Sequence, residues 1–181
     1  MRFSLMAVAA AVVTLMAPAQ VSADVVSATP SAFVLRAERV VQAPPDRTWA
    51  GLVRVGSWWN AEHSSSRVAH NLSLDPRAGG CWCERWRDGS VEHGRVIMAM
   101  SREGVRTLRL AAPLGPLQSM GVTAILTFVV TPDTAGAKIL MTYRVSGDPS
   151  LGLDQVGPGV NEVMMEQYER LIRFVTSGSP D

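Results

Sequence analysis

The sequence predicts an α+β domain: a curved antiparallel sheet of about seven strands wrapped around a long C-terminal helix, with two short helices after the first strand. Three observations predict it. Between residues 68 and 146 the chain runs through segments of period-two alternation separated by turn residues, the pattern of an antiparallel sheet with one buried face. Leu153, Val156, Val160, Val163, Met164, Gln167, Leu171 and Val175 recur at helical spacing near the end. No strand-length run separates that stripe from the last strand, so one long amphipathic helix follows one sheet and must cover its concave face.

The chain opens with MRFSLMAVAAAVVTLMAPAQVSA, which has the form of a cleavable signal peptide. Arg2 supplies the positive end, an apolar run extends from Phe3 to about Met16, and Val21-Ser22-Ala23 offers small residues for cleavage. That run is short of the ~20 residues of a membrane span, so the mature chain is expected to be soluble, without stable membrane insertion, in the periplasm or outside the cell. Without residues 1–23 there remain 158 residues carrying 16 basic and 16 acidic side chains. One domain of that length can bury a real core, and its neutrality argues against nucleic acid as a partner. Residues 24–32 read as a flexible leader and residues 33–177 as the domain.

Phe33–Ala43 alternates as a first strand. Pro44-Pro45-Asp46 then opens a short helix, because proline suits a first turn and an acid offsets the helix dipole there. Ser57-Trp58-Trp59-Asn60 reads as a second helical turn, with Trp58, Trp59 and His63 either as a candidate mouth or lid or as the packing of the short helices onto the sheet edge. Val68–Leu74 alternates as a strand, and Asp75–Gly80 is a turn on residue chemistry. Val105–Ala111, Gly121–Thr131 and Lys138–Ser146 follow as strands. Between them Leu114, within Pro113–Pro116, suggests a loop that packs on something or guards an opening. Gly157-Pro158-Gly159 is expected to kink or restart the last helix, leaving a continuous part from about Val160 to Thr176.

Gly79–Ile97 is the stretch with the most chemistry. Asp88-Gly89 favours a tight hairpin turn, which would set Arg87 opposite Ser90 and Glu84 opposite His93. Alternation then puts Trp82, Glu84, Trp86, Val91, His93 and Arg95 on one face, and Cys81, Cys83, Arg85, Glu92 and Val96 on the other. Aromatic rings mixed with an acid, an imidazole and a guanidinium are a pocket lining. Trp59 and Met164 join them as candidate ligand-binding residues. Glu84 and His93 are also candidate catalytic residues, since an adjacent carboxylate suits an imidazole to acid–base work. The cysteines lie i, i+2 on a strand, about 6.5–7 Å apart at Cα and at the limit of bridging geometry. Two half-buried thiols are the expectation, with a disulfide or a metal site as alternatives; no metal and no cofactor are expected.

The order of elements, with Val41-Gln-Ala-Pro-Pro-Asp-Arg-Thr-Trp49 before the first helix, Gly79-Gly80 before a strand and the long terminal helix, resembles the START/SRPBCC helix-grip superfamily. That superfamily includes the polyketide cyclase/dehydrase-like proteins, the pollen-allergen relatives and domains related to the activator of the chaperone ATPase. The resemblance covers about Phe33 to Val175. It implies a space between sheet and helix that holds a hydrophobic or amphipathic small molecule, and it carries no universal catalytic motif. An exported ligand-binding protein is therefore expected, with an enzyme of cyclase/dehydrase or hydrolase type using Glu84 and His93 as the alternative.

Overall fold

The computed structural model describes residues 24–181, so the expected signal segment lies outside the described residues. Eight strands form one antiparallel, curved sheet: β1 Asp24–Thr29, β2 Ala32–Val41, β3 Leu72–Leu74, β4 Cys81–Trp86, β5 Gly89–Arg102, β6 Val105–Ala111, β7 Thr123–Asp133 and β8 Gly136–Ser146. Their order across the sheet is β1-β2-β8-β7-β6-β5-β4-β3. A short helix, α1 (Pro45–Leu52), follows β2, and the chain ends in α2 (Leu153–Ser177). This is the helix-grip arrangement, with the sheet closed over α2.

Alternation explains the core. From β2, Phe33, Leu35, Ala37 and Val41 are buried; from β7, Leu126, Phe128 and Val130; from β8, Ile139, Met141 and Tyr143. Against them α2 buries Leu153, Met164, Gln167, Leu171 and Val175 of the stripe read from the sequence, with Tyr168 and Ile172 beside it. The helix does not restart at Pro158. It is continuous from Leu153, and Pro158 costs only the one backbone bond its missing N–H would have made. Gly157 lets the helix sit down on β2, because a Cβ there would come within 3.3 Å of the Phe33 ring. The Leu153 N–H donates to Pro30 O at 2.9 Å, tying the first turn of the helix to the β1–β2 connection.

Other segments also differ from expectation. Residues 24–32 are no leader: β1 pairs with β2, from Thr29↔Ala32 to Asp24↔Arg36. Only Leu72–Leu74 of the expected strand 68–74 is extended, since Ala69–Asn71 forms a 3₁₀ turn. That turn presses against Gly56, where a Cβ would lie 2.8 Å from the carbonyl oxygens of both Ala69 and Leu72. The cysteines are joined as a disulfide. Their Cα atoms are 5.3 Å apart, closer than a flat strand allows, where pairing with β5 breaks step between Trp82 and Cys83.

Candidate functional site

The β4–β5 hairpin turns one residue earlier than Asp88-Gly89 suggests. Trp86 pairs with Gly89, Arg85 with Ser90 and Glu84 with Val91, leaving Arg87-Asp88 as the turn. Gly89 serves the Trp86 ring, because a Cβ at Gly89 would lie 2.6 Å from it. Further along, Cys83 pairs with Glu92 but Trp82 pairs with Gly94, so His93 is an extra residue, a β-bulge. Up to His93 the inward set agrees with simple alternation. Past it the parity reverses: Val96 turns inward and is buried, and Arg95 turns out to solvent. Its guanidinium binds Glu92 and the Gly79 carbonyl instead of entering the site. Placing Arg95 with the tryptophans is thus corrected by the bulge, and so is placing Val96 with the cysteines.

A cavity of about 470 Å³ lies between this part of the sheet and α2. Trp59, Trp82, His93 and Met164, four of the residues singled out in the sequence, line it. Val156, Val160 and Val163 form the helix wall, and Leu114, Gly115 and Pro116 contribute from the loop after β6. The Tyr143 hydroxyl pins that loop, donating to Ala112 O at 2.8 Å and accepting from the Leu114 N–H at 3.2 Å. Burial holds the phenol well above its ordinary pKa. Trp86 is half-buried at the hairpin tip and does not line the cavity.

The aromatic rings form a continuous row. Trp58 and Trp59 have ring centres 5.7 Å apart, Trp59 meets Trp82 edge to face at 4.9 Å, and Trp82 lies 6.3 Å from the His93 ring. Trp58 donates its indole N–H to Leu52 O and Trp59 donates to His63 O. The indole N–H of Trp82 is buried without a partner among the described residues.

Glu84 is fully buried directly behind His93. Its Oε2 accepts from His93 Nε2 at 2.8 Å and from the Ser65 N–H at 2.9 Å; its Oε1 accepts from the Ser66 N–H at 2.6 Å. Burial alone pushes this carboxyl up, but the Ser66, Ser65 and His93 hydrogen bonds together outweigh burial and hold it below the ordinary carboxylate value. Glu84 is therefore an ionised carboxylate that does not itself reach the cavity, and His93 Nε2 carries the proton it accepts.

A second pair of the same kind escaped the sequence. His63 Nε2 meets Glu166 Oε2 at 2.9 Å, and Asn60 Nδ2 donates to the other oxygen of that carboxylate. His63 lines the cavity with its neighbours Ser64 and Ser65. Residues 63 and 166 lie too far apart in the chain for any spacing rule to join them. The only signal was Glu166 beside the inward stripe of α2.

No protein-family model and no curated protein matches the chain. Solved structures do. A hypothetical protein from Helicobacter pylori superposes with a TM-score of 0.53 at 12% identity, over 81% of this chain and 89% of that one. A protein of unknown function from Enterococcus faecalis gives 0.50 at 14%, over 82% and 74%. An uncharacterised protein from Rhizobium leguminosarum gives 0.50 at 18%, over 78% and 95%. At such identities the likeness reaches the backbone alone: the chain is similar to these proteins in fold.

Proposed function

We propose that this chain is a START/SRPBCC-like protein that binds a hydrophobic or amphipathic small molecule between its sheet and its C-terminal helix. The observation that carries the reading is the cavity, whose volume of about 470 Å³ suits a small ligand and whose walls are mostly apolar. Export to the periplasm or beyond belongs to the same reading and rests on residues 1–23; N-terminal sequencing of exported material should begin between Asp24 and Thr29.

The test is a titration with the neutral apolar fluorophore N-phenyl-1-naphthylamine, following quenching of tryptophan emission. Trp82→Ala should weaken binding by about 1–3 kcal/mol, the scale of a large apolar contact. Equal binding by wild type and variant, with no tryptophan response, would refute the reading.

The enzymatic alternative has one observation in its favour. An ionised Glu84 fixes the His93 proton on Nε2, which leaves a ring nitrogen free to act as a base. Under it, Glu84→Gln and His93→Gln would leave binding nearly intact while lowering turnover by about 10² or more. Under the binding reading the same changes shift affinity modestly.

A further inference from the structure

The two imidazoles narrow the class of ligand. His93, on the sheet, and His63, in the segment after α1, open on the same cavity, and each is anchored through Nε2 to a carboxylate: Glu84 and Glu166. The carboxylates are themselves held, Glu84 by the Ser65 and Ser66 N–H groups and Glu166 by Asn60. Neither ring makes a second hydrogen bond among the described residues. His93 is only 8% exposed and lines the cavity, so its Nδ1, without a partner among the described residues, belongs to a buried ring set beside mostly apolar walls. In a neutral ring with its proton on Nε2, Nδ1 is an acceptor and calls for a donor.

The charges around the cavity point the same way. Among the described residues, no Lys or Arg lines it. Arg95, the cation that simple alternation would have supplied, is on the outside. An anionic head would find two carboxylates behind the imidazoles and no uncompensated positive charge. Protonating either ring would only bring its pair to zero net charge. A hydroxyl needs no counter-ion and can donate directly to Nδ1.

We propose that the cavity takes an uncharged, hydroxyl-bearing amphiphile, with its hydroxyl groups donating to Nδ1 of His93 and His63 and its apolar body against Trp59, Trp82 and the valines of α2, and that anionic amphiphiles are disfavoured. This rests on the ligand-binding reading above and goes beyond it in naming the head group.

The experiment is displacement of bound N-phenyl-1-naphthylamine by three probes of one chain length at pH 8: 1-decanol, 1-methoxydecane and decanoate. The alcohol should bind about five-fold more tightly than the ether, the factor a single neutral hydrogen bond supplies, and at least ten-fold more tightly than the acid. The alcohol has one proton to donate, so either His63→Phe, at the half-exposed mouth, or His93→Phe should shrink the alcohol-over-ether ratio while fluorophore binding persists. Because His93→Phe strips a donor from buried Glu84 and can fail to fold, the three wild-type affinities decide by themselves. An ether as good as the alcohol, or decanoate as good as either, overturns the head-group assignment and leaves the cavity reading standing. Failure of the fluorophore itself to bind overturns both.

Discussion

Replacing Glu84 by Gln tests the local architecture of the site most directly. The carboxylate accepts three hydrogen bonds in a fully buried position, from the Ser65 N–H, the Ser66 N–H and His93 Nε2. An amide has one acceptor oxygen. Seated where Oε2 lies, it keeps Ser65 and His93 and turns an NH₂ toward the Ser66 N–H. One charge-assisted bond is lost, and the Ser66 N–H and the new NH₂ face each other as two donors without an acceptor, which together cost about 3 kcal/mol, within a range of roughly 2–5. For a domain of this size that lowers Tm by about 6–12 °C, readable in circular-dichroism melts near pH 7. The pH dependence has a definite sign. Because folding holds the Glu84 pKa below its ordinary value of 4.5, its stabilisation is complete above that value and is lost as pH falls through the lower, folded-state value. The gap between wild type and variant should therefore be widest at neutral pH and close as the solution is acidified through the folded-state value. A variant melting within 2 °C of wild type near pH 7, or a gap that stays constant into acid, would refute the account of Glu84 as a buried, ionised anchor.

Three further outcomes follow from the packing and the covalent structure. Leu171→Asp puts an unpaired charge at a fully buried position on α2; it should cost several kcal/mol, and a melt within a degree or two of wild type would mean the helix does not grip the sheet. Tyr143→Phe removes the partner of both Ala112 O and Leu114 N, so the urea midpoint should fall by an amount equivalent to about 1–2 kcal/mol with an unchanged m value. Thiol titration in denaturant should find no reactive cysteine before reduction and two after it, as the Cys81–Cys83 bond requires.

The sequence revealed those elements whose burial is one-sided. Strands β2, β6, β7 and β8 and the stripe of α2 each have one face in the core, so hydrophobicity alternates at the period of the backbone. Strand β1 lies at the sheet edge, with Val25 and Val26 37% and 57% exposed, and carries no such pattern. The site was half legible. Trp82, Glu84 and His93 fell on the correct face by parity, and Trp59 and Met164 by size and helical phase. Arg95 went astray because a bulge is a property of the pairing between two strands and leaves no mark on either alone. His63 and Glu166 went unpaired because their meeting depends on how the segment after α1 lies across α2.

Strand β5 contains two such irregularities of the same form. His93 is the extra residue against β4, and Ile97, half-exposed, is the extra residue against β6, lying between the pairs Val96↔Leu110 and Met98↔Arg109. Each is a place where the chain can change length by one residue without altering anything farther along, because removing the extra residue restores plain pairing on both sides. The two are not equivalent in what they display: one turns an imidazole into the cavity, the other an isoleucine toward solvent. A strand built this way separates the spacing of the sheet from the content of the site. A residue can be gained or lost at position 97 as a purely geometric event, whereas the same event at position 93 would leave the sheet intact and remove the inner imidazole from the chamber.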